Sequence, residues 1–258
     1  MKVLCIGDVV GDAGVECLRR LVPGLRRTLG ANAVIVNGEN ADRSGTGISQ
    51  KLADELLQGG FADVITTGNH CFRRAGTELF TDNERVLCPG NHPAVNPGCG
   101  VCRLDLGRYT LEVYNLQGTA FSEPLQNPFL QLEQYIKQAT SKFRILDFHA
   151  EATAEKKAIA FYADGKLSAV FGTHTHVQTA DEQILPGGTG YITDAGMTGP
   201  TLSVLGVVPE LAVQRQMWHI PTHFDVADGQ SALEGVLFTL EDATGKCVEV
   251  KRICQPVS

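Results

Sequence analysis

The chain has 258 residues, is 43% hydrophobic and 7% aromatic, and carries a formal net charge of -7 with a pI of about 5.5. Its length and apolar content suffice for one large α/β domain over 1–258. The acidic balance argues against a broad basic surface for duplex DNA or acidic lipid, and the few aromatics argue against extended base-stacking platforms. A small anionic substrate remains compatible, because bound cations reverse the local field.

In chain order, residues 2–7 read as a strand, and the run from Met1 to Asp8 turns polar too soon for a signal peptide. Residues 13–29 repeat apolar side chains at helical spacing, with Pro23 marking a kink or break. A strand over 32–37 precedes a helix over 49–59, which Ser49 can cap and Gly59-Gly60 ends. A strand over 62–67 and a short helix over 74–81 follow. Residues 100–106 and 109–116 read as antiparallel strands around Gly107-Arg108. Then come a helix over 128–140, a strand over 143–148, a helix over 153–163, and strands over 167–171 and 189–193. In the tail, 204–217 reads as helical, 221–227 as a strand, and 233–253 as two strands joined across Asp242-Ala-Thr-Gly245. No apolar run reaches transmembrane length, so no membrane partner and a cytoplasmic location are expected.

The eight cysteines are scattered and, without an export signal, are expected to be reduced. Cys99-Gly-Val-Cys102 has CxxC spacing but lacks the second pair a structural zinc site needs, so it reads as a turn entering a strand.

Chemistry concentrates just past the apolar strands, where α/β folds place their sites. Asp8 follows the first strand without a GxGxxG dinucleotide cradle, and could cap a helix or bind a metal. Glu39 and Asn40 follow Asn37-Gly38 and fit either a polar turn or a pair of oxygen ligands. Asn69 offers a neutral oxygen, and His70 beside it a ligand nitrogen or a proton. His149 ends an apolar strand, where a lone histidine is often structural, and Glu151 could ligate, orient a ligand or face solvent. His174 and His176, one residue apart past another strand, are the strongest metal signal. Together Asp8, Glu39, Asn40, Asn69, His149, His174 and His176 are too many donors for one ion but suit two, with Glu39 bridging. Their nitrogen and oxygen atoms suit Fe, Mn, Zn or Co. Two ions about 3.5–4 Å apart can stabilise the attacking and leaving oxygens of a displacement at phosphorus.

Ile6-Gly-Asp8, Asn37-Gly-Glu-Asn40, Gly68-Asn-His70, Asp147-Phe-His-Ala-Glu-Ala-Thr153, Gly172-Thr-His-Thr-His-Val-Gln-Thr179 and Thr193-Asp-Ala-Gly-Met-Thr-Gly-Pro200 resemble the YmdB-like branch of the bacterial calcineurin-like metallophosphoesterases. The resemblance runs essentially end to end and includes Asn115-Leu-Gln-Gly118. It implies a four-layer α/β/β/α sandwich and a homo-oligomer. It also implies hydrolysis of 2′,3′-cyclic nucleotides to 3′-nucleotides through a hydroxide bridging two ions, most simply iron, with manganese or zinc compatible. Carried over, Asp8, Asn40 and His176 hold one ion, Asn69, His149 and His174 the other, Glu39 bridges, and His70 is the general acid. The wider superfamily has histidine where this chain has Val10, and aspartate where it has Glu39. Within the branch, Cys71-Phe72 and Cys88-Pro-Gly-Asn-His-Pro93 depart from the usual residues, and His92 becomes a candidate substrate contact. A broader phosphodiesterase or nuclease, a phosphomonoesterase, and a regulatory metalloprotein acting through partners are the competing readings.

Overall fold

The computed structural model describes residues 1–74, 76–93 and 100–257. β1 (Lys2–Ile6) and the two-residue β2 (Asp8–Val9) lead into α1 (Gly11–Leu29), followed by β3 (Ala33–Asn37), α2 (Gln50–Gln58), β4 (Val64–Thr66) and the single-turn α3 (Glu78–Thr81). The middle of the chain forms β5 (Val101–Asp105), β6 (Thr110–Gln117), α4 (Pro128–Gln138), β7 (Phe143–His149), α5 (Thr153–Ala163) and β8 (Ala169–Thr173). It ends with β9 (Gln183–Ile184), β10 (Gly190–Ile192), β11 (Met197–Pro200), α6 (Pro209–Trp218), β12 (Ser231–Leu240) and β13 (Cys247–Pro256).

Strand alternation produces the layering. In β1, Leu4 and Ile6 pack with Val15, Leu18 and Val22 of α1, whereas Val3 and Cys5 face Val113, Ile145 and Phe171 of the other sheet. In β7, Ile145 points into that central layer, and Leu146 and Phe148 meet Ile159 and Ala160 of α5. Three apolar layers therefore separate helix, sheet, sheet and helix, the α/β/β/α sandwich the resemblance implied. One sheet has seven strands, ordered β2-β11-β12-β1-β3-β4 with β13 paired to β12. The other has six, ordered β5-β6-β7-β8-β10-β9. β1, β3 and β4 run parallel, as do β6, β7, β8 and β10, so the carboxyl ends within each set open on a common edge.

Most elements match the sequence reading, including the Ser49 cap, whose Oγ accepts from Leu52 N at 3.3 Å. Four features differ. α1 runs through Pro23, because its apolar face is anchored on the sheet from Val15 to Val22. Residues 204–208 are not helical; α6 starts at Pro209, whose fixed φ suits a first turn. Residues 221–227 form no strand; Val226 makes only an isolated bridge with Val207. The short strands β2, β9 and β11 carry too few residues for a periodic signal. Cys102 lies buried in β5, while Cys99 falls outside the described residues. Among the described residues there is no disulfide, and no helix is long and apolar enough to cross a membrane.

Away from the strand ends, one buried carboxylate stabilises the second sheet. Glu112 in β6 accepts from Thr140 N and Oγ1 at 2.9 Å, from Ser141 N at 3.2 Å, from Arg103 Nε at 3.2 Å and from the Tyr114 hydroxyl at 2.6 Å. Burial opposes its charge, but these donors prevail and hold it down to about 2. Because the folded value lies below the unfolded one, the stabilisation is present above about pH 4.5 and is lost as pH falls toward 2. Glu112→Gln should cost about 1–3 kcal/mol at pH 7, because a buried donor loses its acceptor. In urea unfolding, the gap from the parent should close on acidification; a gap independent of pH would point to packing instead.

Candidate metal centre

All seven candidate donors lie at or just past strand ends, and the two sheets bring those ends together. Asp8 follows β1, Glu39 and Asn40 follow β3, and Asn69 and His70 follow β4. From the other sheet, His149 ends β7, and His174 and His176 follow β8. His174 and His176 have φ of 97° and 62°, a left-handed backbone that non-glycine residues rarely adopt. The turn is tied down on both sides. Asp8 Oδ2 accepts from His174 N at 2.9 Å, and Asp194 Oδ2 accepts from Thr175 N at 3.2 Å and Thr175 Oγ1 at 2.6 Å. Asp194 is itself held by Lys156 Nζ at 2.7 Å, a buried ion pair.

The outer contacts of each ring favour one tautomer. Thr173 Oγ1 donates to Asp147 Oδ1 at 2.7 Å, so toward His149 Nδ1, 3.0 Å away, it accepts. His149 Nε2 is therefore bare. His174 Nε2 lies 3.1 Å from Glu151 Oε2, which turns Nδ1 toward the other donors, and His176 Nδ1 donates to the Leu205 carbonyl at 3.0 Å, which turns Nε2 toward Asp8. Tying one ring nitrogen to an outer acceptor is the usual way to orient a ligating imidazole. Burial also pushes all three histidines below their ordinary range, so the neutral form that binds metals is favoured.

These bare atoms crowd other acceptors. His149 Nε2 lies 3.0 Å from His174 Nδ1 and 3.0 Å from Asn69 Oδ1. Lone pairs at that distance repel unless a positive centre lies among them. Asp8 Oδ1 is buried with no hydrogen-bond partner, 3.7 Å from His176 Nε2. Burial, then the Asp194 carboxylate, push Asp8 well above the usual carboxylate range, an unfavourable state that a cation would relieve. Asn40 Nδ2 is committed to the Gly45 carbonyl at 2.9 Å, which frees its oxygen. Glu39 Oε1 lies 3.7 Å from His149 Nε2, and its carboxylate accepts from Gly68 N and His70 N. Gly68 lies so close to His149 that a Cβ there would overlap the ring. Among the described residues, no group of three or more His, Cys, Asp or Glu side chains is spaced to hold an ion by itself. The donors instead make an open set that includes two amides, and their nitrogen and oxygen atoms fit hard or borderline ions.

His70 stands over this set, its Nδ1 3.2 Å from Glu39 Oε1, and lines a cavity of about 610 Å³. Glu39, Asn40, Asn69, His174 and His176 line the same cavity. His92 does not. Its Nε2 lies 3.7 Å from Cys71 Sγ, and its ring meets Phe72 edge to face, so it abuts the His70 loop outside the cavity lining.

Sequence reasoning missed the buried layer beneath the donors. Asp147 accepts from Thr173, from Thr66 Oγ1, and from Asn37 Nδ2 at 2.9 Å. An aspartate inside the apolar run Ile145-Leu-Asp-Phe148 was the available signal, since a buried carboxylate needs partners. Thr173→Val should remove the acceptor of His149 Nδ1 and weaken metal binding about 10–100-fold. Titration against a chelator-buffered metal series measures this, and unchanged affinity would remove Thr173 from the supporting layer.

A family model described as YmdB-like protein matches residues 4–253. The chain is 43% identical over 256 residues to a 2′,3′-cyclic-nucleotide 2′-phosphodiesterase of Bacillus subtilis, covering 98% of this chain and 96% of that protein. A crystal structure described as a novel phosphatase from Mycoplasma pneumoniae superposes with a TM-score of 0.92 at 34% identity, covering 99% of this chain and 93% of that one. A hypothetical protein from Thermus thermophilus superposes with a TM-score of 0.92 at 35% identity, covering 99% of both chains.

Proposed function

The chain belongs to the YmdB-like family of metallophosphoesterases and is a phosphoric diester hydrolase, and from that premise we propose that it opens 2′,3′-cyclic nucleotides to 3′-monophosphates at a two-ion centre. The observation that carries this reading is the set of three histidines, each meeting an outer oxygen through one nitrogen and turning the other toward the donor set, around the unpartnered Asp8 Oδ1.

In this reading Asp8, Asn40 and His176 would hold one ion and Asn69, His149 and His174 the other, with Glu39 shared between them. When bound, such a pair supplies Lewis acidity toward phosphoryl oxygens and a coordinated water of lowered pKa. Water adds to phosphorus, the bond from phosphorus to the 2′ oxygen breaks, and the 3′ oxygen keeps the phosphoryl group. His70 donates the proton that the 2′ oxygen needs on leaving. Its Nδ1 is engaged by Glu39 Oε1 at 3.2 Å, which leaves Nε2 for the substrate. Thr173, Glu151 and the Leu205 carbonyl hold the imidazoles in orientation, and Asp194 holds the turn that carries two of them. His92 acts on the His70 loop through Cys71 and Phe72. Iron is the metal we expect; manganese and zinc also suit the donors.

We also place the protein in the cytoplasm as a homo-oligomer. Val213, Met217 and Trp218 of α6, with neighbouring Ile220, are 45% or more exposed, an apolar surface that association would cover.

The test is metal content and turnover on one sample, using 2′,3′-cyclic AMP with chromatographic identification of product. About two ions per chain with 3′-AMP as product is expected. Two ions without that turnover would point to other diesters. Well under two ions after iron or manganese loading would defeat the dinuclear reading.

A further inference from the structure

The cavity wall facing away from the donors has no role in bond cleavage, yet it carries an aromatic ring. Phe224 is 42% exposed and lines the 610 Å³ cavity together with His70, Asn69 and His176. It also lines an adjoining cavity of about 350 Å³, bounded by Asp42, Arg43 and Arg74. A large apolar ring bordering two open spaces is poorly placed for the core and well placed to receive a flat ligand.

The backbone beside this ring is pinned to the donor loops. Val208 N donates to the Asp225 carbonyl at 3.0 Å, and Val226 bridges Val207. The Val226 side chain packs against Gly11 and Gly45, where a Cβ would come within 3.1 Å and 2.9 Å of it. Gly45 in turn is joined to Asn40 through its carbonyl. The ring is thereby carried on a segment braced against the loop holding one candidate ligand, so its position relative to the reacting phosphate is set before substrate arrives.

We propose that Phe224 is a specificity-determining residue that stacks on the nucleobase of a 2′,3′-cyclic nucleotide while the donor set holds its phosphate. This rests on the cyclic-nucleotide reading above and adds the base to what the site recognises. One exposed ring stacks on any base, so all four cyclic nucleotides gain from it, and a substrate lacking a base gains nothing.

The experiment compares 2′,3′-cyclic AMP with base-free ribose 2′,3′-cyclic phosphate in the parent and in Phe224→Ala and Phe224→Tyr. A stacking contact of usual strength predicts that Phe224→Ala loses about tenfold or more in kcat/KM on cyclic AMP, mainly through KM. Turnover of the ribose substrate should not change, and Phe224→Tyr should retain the parent preference. Equal turnover of both substrates by the parent, or an equal loss on both in Phe224→Ala, overturns the proposal and leaves the cyclic-phosphodiesterase reading intact. If the metal-loaded parent opens neither substrate, that reading fails and the base contact falls with it.

Discussion

Glu39→Ala is expected to empty the centre and to lower turnover by well over the roughly 100-fold that an outer partner can cost. Two effects act together. The carboxylate that neutralises charge between the ions is lost, and so is the acceptor for Gly68 N and His70 N. Those amides belong to the loop that carries Asn69 and His70, so one substitution disturbs the candidate bridge, a second candidate ligand and the proposed general acid. Glu39→Gln should also fail, because an amide nitrogen would then face a backbone N–H. Metal per chain, measured beside turnover on cyclic AMP, checks this. Full occupancy in Glu39→Ala would argue against bridging.

His70→Ala should behave differently. Its side chain belongs to neither donor group, so metal content should stay close to that of the parent, while kcat on 2′,3′-cyclic AMP should drop about 10²–10⁴-fold. The loss should shrink on bis-p-nitrophenyl phosphate, whose leaving group departs without a proton. An equal loss on both diesters would assign His70 to phosphate binding rather than proton donation. Loss of metal in His70→Ala would overturn the acid assignment, since the substitution would then have damaged the centre itself.

The contrast between these two residues was only partly legible along the chain. Glu39 and His70 each stand just past an apolar strand, which is why both could be singled out. That His70 N donates to the Glu39 carboxylate, and that their side chains meet at 3.2 Å, depends on β3 and β4 lying side by side. His92 is a different case. An unusual residue type drew notice to it, but its neighbours are Cys71 and Phe72 rather than the cavity.

The segment from 204 to 227 was the least legible part. Its apolar residues mix contact with the cavity, exposure on α6 and two isolated bridges, so no single period describes them. Phe224 could not be recognised as a site residue, because nothing local distinguishes an exposed ring from a buried one.

By itself the sequence determined which atoms are available. Alternating apolar residues specify strands with a face for each core, and polar residues placed just past them must emerge at strand ends. Tertiary structure alone decided how those atoms are presented. It buried Asp8 Oδ1 without a partner, turned one nitrogen of each histidine outward to Thr173, Glu151 or Leu205, and placed Lys156 and Asp194 together in the interior. These outcomes depend on contacts between residues far apart in the chain, where burial sets the cost of an unpaired group and hence the orientation of each side chain.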